Sequence, residues 1–406
     1  MKVRKRQMWG MMLRIASVAL LVAATAGAAP VAFDKSKVVI PERFKDHPLF
    51  NRPIMGMNFG FMEKRGWYMA HLDEADKMAD VGVTLCILKA HYCVETSFSR
   101  KMFFDPVYSQ GFDELEKMIE RLHSHGIMVV LQPCITSLDS IAMYQIWFPV
   151  TNYQIEGITV DYWSEWFNSY RDVLASYADL AERCKVEGII IGAELHKTQH
   201  KEDEWRKTVE HVRARYSGPL SYETTSMGGF NEWMRCLDFI SISCYQHGAE
   251  MPKGILTRDA NYWKGDLAPV SKDEMVRNFA ENWTERFVKI YEASGHMPIL
   301  QSEVGMCSLH GRCRFPSQGH ERHFAGVPLD FKEQADYMEA VFENYVMRLP
   351  FYMGFCWWKW DEAQNRWFLN RENPMKDGGF SIWGKPAAET YRRLSQRLRN
   401  GRGSGN

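Results

Sequence analysis

The stretch "PILQSEVGM", Pro298 to Met306, is an apolar run that ends on Glu303, with a glycine two residues later. A short apolar run between helical patterns is typical of a buried strand in a parallel sheet. An ionised carboxylate at the end of such a strand is costly unless it is paired, hydrogen-bonded or neutralised. The stretch therefore predicts a strand that delivers a functional carboxylate at its tip.

Seven other short apolar runs alternate with amphipathic helical patterns along the chain. With Pro298 to Glu303, the predicted strands are Pro53 to Phe59, Val83 to Leu88, Ile127 to Gln132, Gly188 to Leu195, Pro219 to Glu223, Asp238 to Ser243 and Met353 to Trp358. Helical patterns lie between them, for example Gly111 to His125 and Asp273 to Ser294. Eight such units in about 350 residues predict a single-domain α/β fold, the (β/α)8 TIM barrel.

The two ends of the chain are expected to lie outside this barrel. Residues 1–28 combine basic residues, an apolar run and a small-residue stretch, which is typical of a secretory signal peptide; an uncleaved anchor is the alternative. We expect residues 29–400 to form the catalytic domain and 401–406 a polar tail. A doubly wound sheet would also give alternating strand and helix patterns, but no Gly-rich fingerprint or phosphate loop follows the first strand. The mature protein is expected to be exported, to the periplasm or the extracellular space.

The charge balance excludes some classes of partner. The chain has 50 basic and 50 acidic residues, and removing the five basic residues of the leader leaves 45 against 50, a net charge of −5. A mildly acidic protein is a poor candidate for nucleic-acid binding. We expect no membrane contact after leader cleavage. The sequence leaves the oligomeric state open, with a monomer expected.

Nine cysteines are present, and an odd number rules out complete internal pairing. Cys307 and Cys313 are close enough in sequence to form a loop disulfide, and that pairing is left open. The same loop contains His310, His320 and His323, which invites a zinc site. The spacings do not match a recognised Cys/His pattern, so we expect no metal and no cofactor.

Two carboxylates close predicted strands at the end where a barrel gathers its functional groups. Glu194, in "IIIGAEL", closes strand four as Glu303 closes strand seven. Two facing carboxyl groups can divide into a proton donor and a nucleophile, because each charge raises the pKa of the other. A separation of about 5 Å indicates retaining glycoside hydrolysis and about 6.5 to 9.5 Å indicates inversion. The alternative is that each glutamate caps a helix or pairs with a basic residue. Glu223, which closes strand five, is expected to contact a sugar.

Aromatic side chains crowd the same strand ends. They are Phe59 and Phe61 after strand one, Tyr245 after strand six, and Trp357, Trp358 and Trp360 on strand eight. Flat apolar rings stack on the C–H faces of sugar rings, although each single ring is more often part of a core, Trp360 above all. The long loop from Gln246 to Val270, which contains Tyr262 and Trp263, is expected to form a wall of the groove.

Four segments that occur in order resemble glycoside hydrolase family 113, a family of barrels whose known members are mostly β-mannanases. They are "WSEWFNSYRDVLASYADLAERCKVEGIIIGAEL", "LDFISISCY", "PILQSEVG" and "GFCWWKWD…GGFSIWGKPA". The resemblance implies that Glu194 is the acid/base and Glu303 the nucleophile, and that Tyr245 hydrogen-bonds the nucleophile. It also implies that a strand-eight tryptophan, Trp357 or Trp358, floors the subsite at the scissile bond.

The sequence departs from the family pattern near the sugar. Ala193 replaces a threonine, Gln132 and Cys134 stand where a Lys-Pro-His type pattern is expected, and Ser243 with Cys244 replaces Asp-Ala. The expected function is retaining hydrolysis of a β-linked polysaccharide or oligosaccharide, with β-1,4-mannan as the first substrate. The alternatives are a related β-glycosidase that acts on glucan-type chains and a catalytically inactive carbohydrate-binding barrel. Gln132 is expected to contact the sugar.

Overall fold

Eight parallel strands close into a barrel. The structure, a computed structural model, describes residues 35–60, 64–146, 148, 152–226, 228–250, 267–317, 326–360 and 373–402. In these residues the strands are β1 (Ile54–Phe59), β2 (Leu85–Val94), β3 (Met128–Ser137), β4 (Asn152–Ile155), β5 (Ile158–Asp161), β6 (Gly188–Ala193), β7 (Leu220–Thr225), β8 (Ile240–Ser243), β9 (Ile299–Val304) and β10 (Tyr352–Trp357). The closed order is β1-β10-β9-β8-β7-β6-β3-β2, and β4 and β5 form a separate antiparallel pair. The predicted barrel and all eight of its strands are confirmed.

Helices alternate with the strands. They are α1 (Pro48–Asn51), α2 (Trp67–Ala70), α3 (Glu74–Val81), α4 (Phe112–Ser124), α5 (Tyr162–Cys184), α6 (Glu202–Arg213), α7 (Lys272–Asn282), α8 (Thr284–Ser294), α9 (Phe331–Val341) and α10 (Pro386–Arg402). None of the described helices is both long enough and apolar enough to cross a membrane.

Helix α5 shows how the local sequence builds the outer layer. Its first turn is capped by Asp161, whose carboxylate accepts from the backbone N–H of Trp163 at 3.1 Å. Trp166 and Tyr170 are fully buried on its inner face, and the Tyr170 hydroxyl donates to the carbonyl of Ile191 on β6. The helix therefore fixes the strand that carries Glu194 from outside the barrel.

The barrel interior changes from apolar to polar along its axis. The apolar layers contain Leu49 from α1 and strand residues Ile54, Leu85, Ile87, Met128, Val130, Ile190, Phe239, Leu300 and Cys356. Nearer the carboxyl ends, buried polar side chains take over, among them Asn58, Lys89, Gln132, Glu223 and Ser302. Side chains alternate between the two faces of a strand, so a polar residue two positions beyond an inward apolar one also points inward. The polar layer forms the floor on which the candidate site rests.

Strands β2 and β3 are longer than the sequence predicts. The prediction ends them at Leu88 and Gln132, whereas they continue to Val94 and Ser137 in parallel register. The polar residues that end the apolar runs are still within the ladder, because the barrel interior accepts polar groups that pair with one another. Several predictions lie outside the described residues: the signal peptide, Phe61, Tyr262, Trp263, His320, His323 and residues 403–406 of the tail.

Candidate active site

Glu303 lies near the carboxyl end of β9, and each of its carboxylate oxygens has a hydrogen-bond donor. The ammonium of Lys89 on β2 is 2.9 Å from Oε1, and the hydroxyl of Tyr245 donates to Oε2 at 3.1 Å. The Glu303 side chain is 13 % exposed and that of Lys89 only 2 %. Two donors on opposite oxygens fix the orientation of the carboxylate and stabilise its charge. Glu303 is thus an oriented, accessible carboxylate of the kind that a nucleophile requires.

Glu194 directly follows β6 and bends the chain there. It has a left-handed backbone conformation, with a φ of 52°. Its N–H donates to the carbonyl of Glu223 on β7 at 3.0 Å, and its own carbonyl accepts from the N–H of His196 at 2.8 Å. A non-glycine residue in this region is strained and persists only where its surroundings fix it. These backbone bonds fix the bend at the end of β6, where the Glu194 side chain lies close to Glu303.

The two catalytic candidates face each other with Glu223 beside them. One carboxylate oxygen from each of Glu194, Glu223 and Glu303 lies within 4.8 Å of the other two. Burial, and then the charge of Glu303, raise the pKa of Glu194 from 4.5 to about 7, against a hydrogen bond from Ser243 and the charge of Lys89, which lower it. Glu194, which is partly exposed, can therefore hold a proton near neutral pH. Glu303 lies next to it and faces the ammonium group of Lys89. This is the separation of roles that acid/base and nucleophilic catalysis need.

Lys89 is the functional residue that the sequence analysis missed. Burial by itself would lower the pKa of Lys89, but the charges of Glu303 and Glu223 outweigh it and the pKa is raised, so the ammonium stays charged. It also donates to the side-chain oxygen of Gln132, its register partner on β3. The signal was present, because Lys89 directly follows the apolar run "VTLCIL", as Glu303 ends "PILQSE".

Strand β10 separates the two tryptophans that the sequence could not tell apart. Trp358 is partly exposed, and its ring lies 5.2 Å from the ammonium of Lys89, measured to the ring centroid. Trp357 is fully buried, and its indole N–H donates to the carbonyl of Phe380 at 3.0 Å. Neighbouring residues on a strand point to opposite faces. Trp358 thus lies at the site, and Trp357 packs behind the barrel wall. Trp360 is buried too, as expected.

The structure does not bring Phe59 to the site, which corrects the sequence prediction. Phe59 is fully buried and packs edge-to-face on Tyr68 of α2, with ring centroids 5.3 Å apart. Its neighbour Asn58 points inward instead and donates to the carbonyl of Ser302 at 2.8 Å. Gln132 and Glu223 do lie at the site, but both are buried, at 0 % and 1 % exposure, beneath the catalytic candidates rather than on a wall of the groove.

A second group of ligand-type side chains lies in the loop after β9. His310 Nδ1 is 3.1 Å from an oxygen of Asp330, and His310 Nε2 is 2.8 Å from the carbonyl oxygen of Leu267. Glu333 accepts from the backbone N–H groups of Gly311 and Cys313, each at 2.7 Å. These contacts connect the loop to the start of α9, which is a structural role.

The thiols are not disulfide-bonded. All nine cysteines, Cys307 and Cys313 included, are free, and seven of them are buried. A buried thiol behaves as a small apolar side chain.

A (β/α)8 barrel with two facing carboxyl groups at the carboxyl ends of its strands defines a class of hydrolases that act on glycosidic bonds. The sequence also matches the model of Glycoside Hydrolase Family 113 over residues 57–385. The chain belongs to glycoside hydrolase family 113 and is a glycoside hydrolase, which confirms the resemblance noted in the sequence. No curated protein matches the sequence.

Solved structures agree with this assignment of the fold. A GH113 β-mannanase from Alicyclobacillus acidocaldarius is 23 % identical with a TM-score of 0.67, over 86 % of this chain and 99 % of that chain. A GH113 β-1,4-mannanase complex is 22 % identical with a TM-score of 0.66, over 84 % of this chain and 98 % of that chain. An endo-β-1,4-mannanase from Thermotoga petrophila is 14 % identical with a TM-score of 0.51, over 86 % and 77 %.

Proposed function

We propose that the enzyme is a retaining glycosidase that cleaves β-1,4-linked mannan or mannooligosaccharides by double displacement. The observation that carries the proposal is the approach of the Glu194 and Glu303 carboxylates, whose oxygens come within 4.8 Å of each other. Retaining enzymes hold their two carboxyl groups at about 5 to 5.5 Å, whereas inverting enzymes need about 6.5 to 9.5 Å to admit a water molecule. Two carboxyl groups that have oxygens within this limit support direct attack by one carboxylate.

In the first step, Glu303 Oε attacks the anomeric carbon while the protonated carboxyl group of Glu194 donates its proton to the leaving glycosidic oxygen. The C–O bond to the leaving sugar breaks, and an ester joins the remaining sugar to Glu303. In the second step, the Glu194 carboxylate takes a proton from water, and the oxygen of that water attacks the anomeric carbon. The ester breaks, Glu303 is released as a carboxylate, and Glu194 is protonated again.

Several residues around the pair would support these steps. Lys89 and Tyr245 bind the two oxygens of Glu303 and keep the carboxylate aimed at the cleft. Trp358 presents a partly exposed ring beside Lys89, where a sugar ring could stack. Ser243 hydrogen-bonds Glu194. These groups lie on or just after three strands, β2, β8 and β10, so the barrel itself sets their spacing.

Mannan is proposed as the substrate because the family and the similar structures named above include β-mannanases. Because this sequence departs from the family pattern near the sugar, glucan-type chains remain the alternative substrate. The family pattern expects a lysine on the strand where this chain has Gln132. Here Lys89, the register partner of Gln132 on β2, supplies an ammonium to the same layer of the barrel.

The proposal is tested with Glu303→Ala and Glu194→Ala on a panel of β-linked mannans, glucans and their oligosaccharides. Each variant should lose about 10³-fold or more in kcat on mannan, because each removes one partner of the displacement. Azide should restore part of the rate in at least one variant by replacing the missing carboxylate. Rates like those of the wild type in either variant would contradict the assignment. Cleavage of glucan but not mannan would contradict the substrate, and sugar binding with no cleavage would indicate an inactive barrel.

We also propose that the enzyme works after export, on the basis of the leader-like residues 1–28. N-terminal sequencing of the protein recovered from the native cell should find a start near residue 29. An intact Met1 on protein in the cytoplasm would contradict export.

A further inference from the structure

Glu223 is a third carboxyl group in the active site, and the two-carboxylate mechanism leaves it without a role. It lies on β7, is 1 % exposed, and has an oxygen within 4.8 Å of oxygens of Glu194 and Glu303. Within the described residues, its Oε2 atom has no hydrogen-bond partner. The Oγ atom of Ser302 has none there by geometry either, yet it lies close enough to Glu223 to lower the pKa of that carboxyl group, by less than burial and the charge of Glu303 raise it. Such burial beneath the catalytic pair does not suit the sugar contact that the sequence suggests.

The charges around Glu223 determine whether its carboxyl group can be ionised. The ionisable groups that face it are Lys89 from β2, Cys134 from β3, Glu194 after β6, Tyr245 after β8, Glu303 from β9 and Cys356 from β10. Lys89 is the one cation among them, and its ammonium already donates to Glu303 and to the side-chain oxygen of Gln132. Among the ionisable groups named above, an ionised Glu223 would add a second negative charge beside Glu303, whereas Lys89 supplies a single positive charge.

We propose that Glu223 is a positioning residue that stays protonated during catalysis, so that Lys89 pairs with Glu303 alone. The inference rests on the proposed double displacement, which needs one ionised and one protonated carboxyl group. With Glu303 ionised and Glu194 protonated, a neutral Glu223 makes the three carboxyl groups and Lys89 neutral overall. A proton on Oε2 also turns an oxygen without a partner into a donor next to Ser302 Oγ.

The electrostatics of the site support this state. Burial, and then the charge of Glu303, raise the pKa of Glu223 to about 8, although the charge of Lys89 lowers it. The group is therefore neutral at the pH where Glu194 can act as an acid. Its proton is lost only after that of Glu194, so Glu223 adds no negative charge while Glu194 is still protonated.

The first test is the isosteric variant Glu223→Gln. Because glutamine imitates a protonated carboxyl group, Glu223→Gln should lose much less kcat/KM at pH 6 than Glu303→Gln, which should lose about 10³-fold. The alkaline limb of the pH profile, which Glu194 sets near pH 7, should keep its position in Glu223→Gln, because a protonated Glu223 and a glutamine both carry no charge there. A loss of 100-fold or more at pH 6 in folded Glu223→Gln would overturn the proposal by showing that a carboxylate is needed.

The second test does not depend on activity. Infrared spectra recorded between pH 6 and pH 9.5 report the C=O absorption of protonated carboxyl groups. Glu223→Gln should remove one titrating component and Glu194→Gln another, while Glu333→Gln assigns any contribution from a buried glutamate outside the site. If Glu223→Gln fails to fold, Glu194→Gln should still show the Glu223 component. No component that depends on Glu223 would overturn the proposal. Were Glu194 and Glu303 not catalytic, their variants would keep activity while this component persisted, so the two failures are distinguishable.

Discussion

At the scale of single residues, the central feature is the ion pair between buried Lys89 and Glu303, the proposed nucleophile. Lys89 and Tyr245 contact different oxygens of Glu303, so neither donor can replace the other. The molecule contains a second buried pair for comparison, Lys385 with Asp377 at 3.0 Å, in the segment before α10. Both lysines are almost completely buried, and only Lys89 faces the catalytic candidates.

Lys89→Met is predicted to lower kcat/KM by about 10²-fold, as does the loss of a preorganised donor in other active sites. Removal of the positive charge favours protonation of the carboxylate that it faces, so the acid limb of the pH profile should move to higher pH. Lys385→Met is the matched control. It should lower the melting temperature while the folded protein keeps kcat/KM within about threefold. Equal effects of the two variants on kcat/KM would contradict a catalytic function of Lys89.

The raised pKa of Glu194 predicts the alkaline side of the pH profile. Glu194 must be protonated to donate to the leaving oxygen, so kcat/KM should fall as the pH rises through about 7. Glu194→Gln assayed on an aryl glycoside, whose leaving group needs no proton, should lose this limb. An alkaline limb that persists unchanged in Glu194→Gln would assign the titration to another group.

Functional residues at strand ends could be predicted from the sequence only where a charged residue interrupts an apolar run. Glu303 and Glu194 interrupt apolar runs and were predicted for that reason. Lys89 interrupts one in the same way, but pairing across the barrel depends on the register of strands far apart in sequence. The direction of the Phe59 side chain depends on strand phase, which an apolar run on consecutive positions does not reveal.

At the scale of elements, the ends of β9 and β10 approach each other closely enough to require glycine. A Cβ atom on Gly305 would lie 2.1 Å from the carbonyl oxygen of Trp358. The N–H of Trp358 in turn donates to the carbonyl of Val304 at 2.6 Å. The glycine two residues after Glu303 thus allows the strand that carries the nucleophile to pass against the strand that carries the tryptophan.

Gly305→Ala is predicted to destabilise the protein by about 1 to 3 kcal/mol and to lower kcat/KM by at least tenfold, because the added methyl group forces backbone apart between Glu303 and Trp358. Gly188→Ala is the control. Gly188 lies at the amino end of β6, opposite the end that leads to Glu194. Its Cβ atom would meet Leu49 Cδ2 at 3.3 Å, a side-chain atom that can shift. Chemical denaturation and steady-state kinetics on both variants separate the two effects. Unchanged kinetics in Gly305→Ala would show that this approach does not position the site.

The positions of the strands could be predicted, but their lengths could not. The apolar cores of all eight strands are visible because a parallel strand is covered on both faces. The continuation of β2 and β3 through Lys89 and Gln132 was hidden because these residues are polar. Inside the barrel they hydrogen-bond each other, and this pairing appears only when the two strands are in register.

At the scale of the whole molecule, the carboxyl groups of Glu194 and Glu223 should cost stability. The pKa values of Glu194 and Glu223 are raised in the folded protein, to about 7 and about 8. The folded state therefore binds more protons than the unfolded state between the unfolded value near 4.5 and these folded values. Stability must fall as the pH rises through that interval. A functional site that destabilises its own fold is a common compromise.

Glu194→Gln is predicted to raise the melting temperature by about 2 °C or more at pH 8, and by less at pH 4, below the unfolded value near 4.5, where Glu194 is mostly protonated in both states. The measurement is thermal unfolding of wild type and variant at both pH values. Asp179→Asn, which changes an exposed carboxylate paired with Arg215, serves as the control for the loss of one charge. A melting temperature for Glu194→Gln that is lower than that of the wild type at pH 8 would contradict the raised pKa.

The overall architecture followed from the sequence because one barrel accounts for all the alternating segments. The polar network inside the barrel did not, since it joins side chains of β2, β3, β7 and β9 that face one another across the interior only after the barrel closes. The family membership agrees with the barrel architecture and with the carboxyl groups inside it. The assigned roles of Glu194 and Glu303 then depend on the stereochemistry of the reaction.

The most direct test of those roles is the configuration of the first product. Hydrolysis of a mannooligosaccharide can be followed by proton NMR from the first minutes, before the new reducing end mutarotates. Double displacement through Glu303 predicts that this end appears first as the β anomer and converts to the α anomer later. A first product with the α configuration would mean single displacement by water, and it would contradict the assignment of Glu303 as the nucleophile.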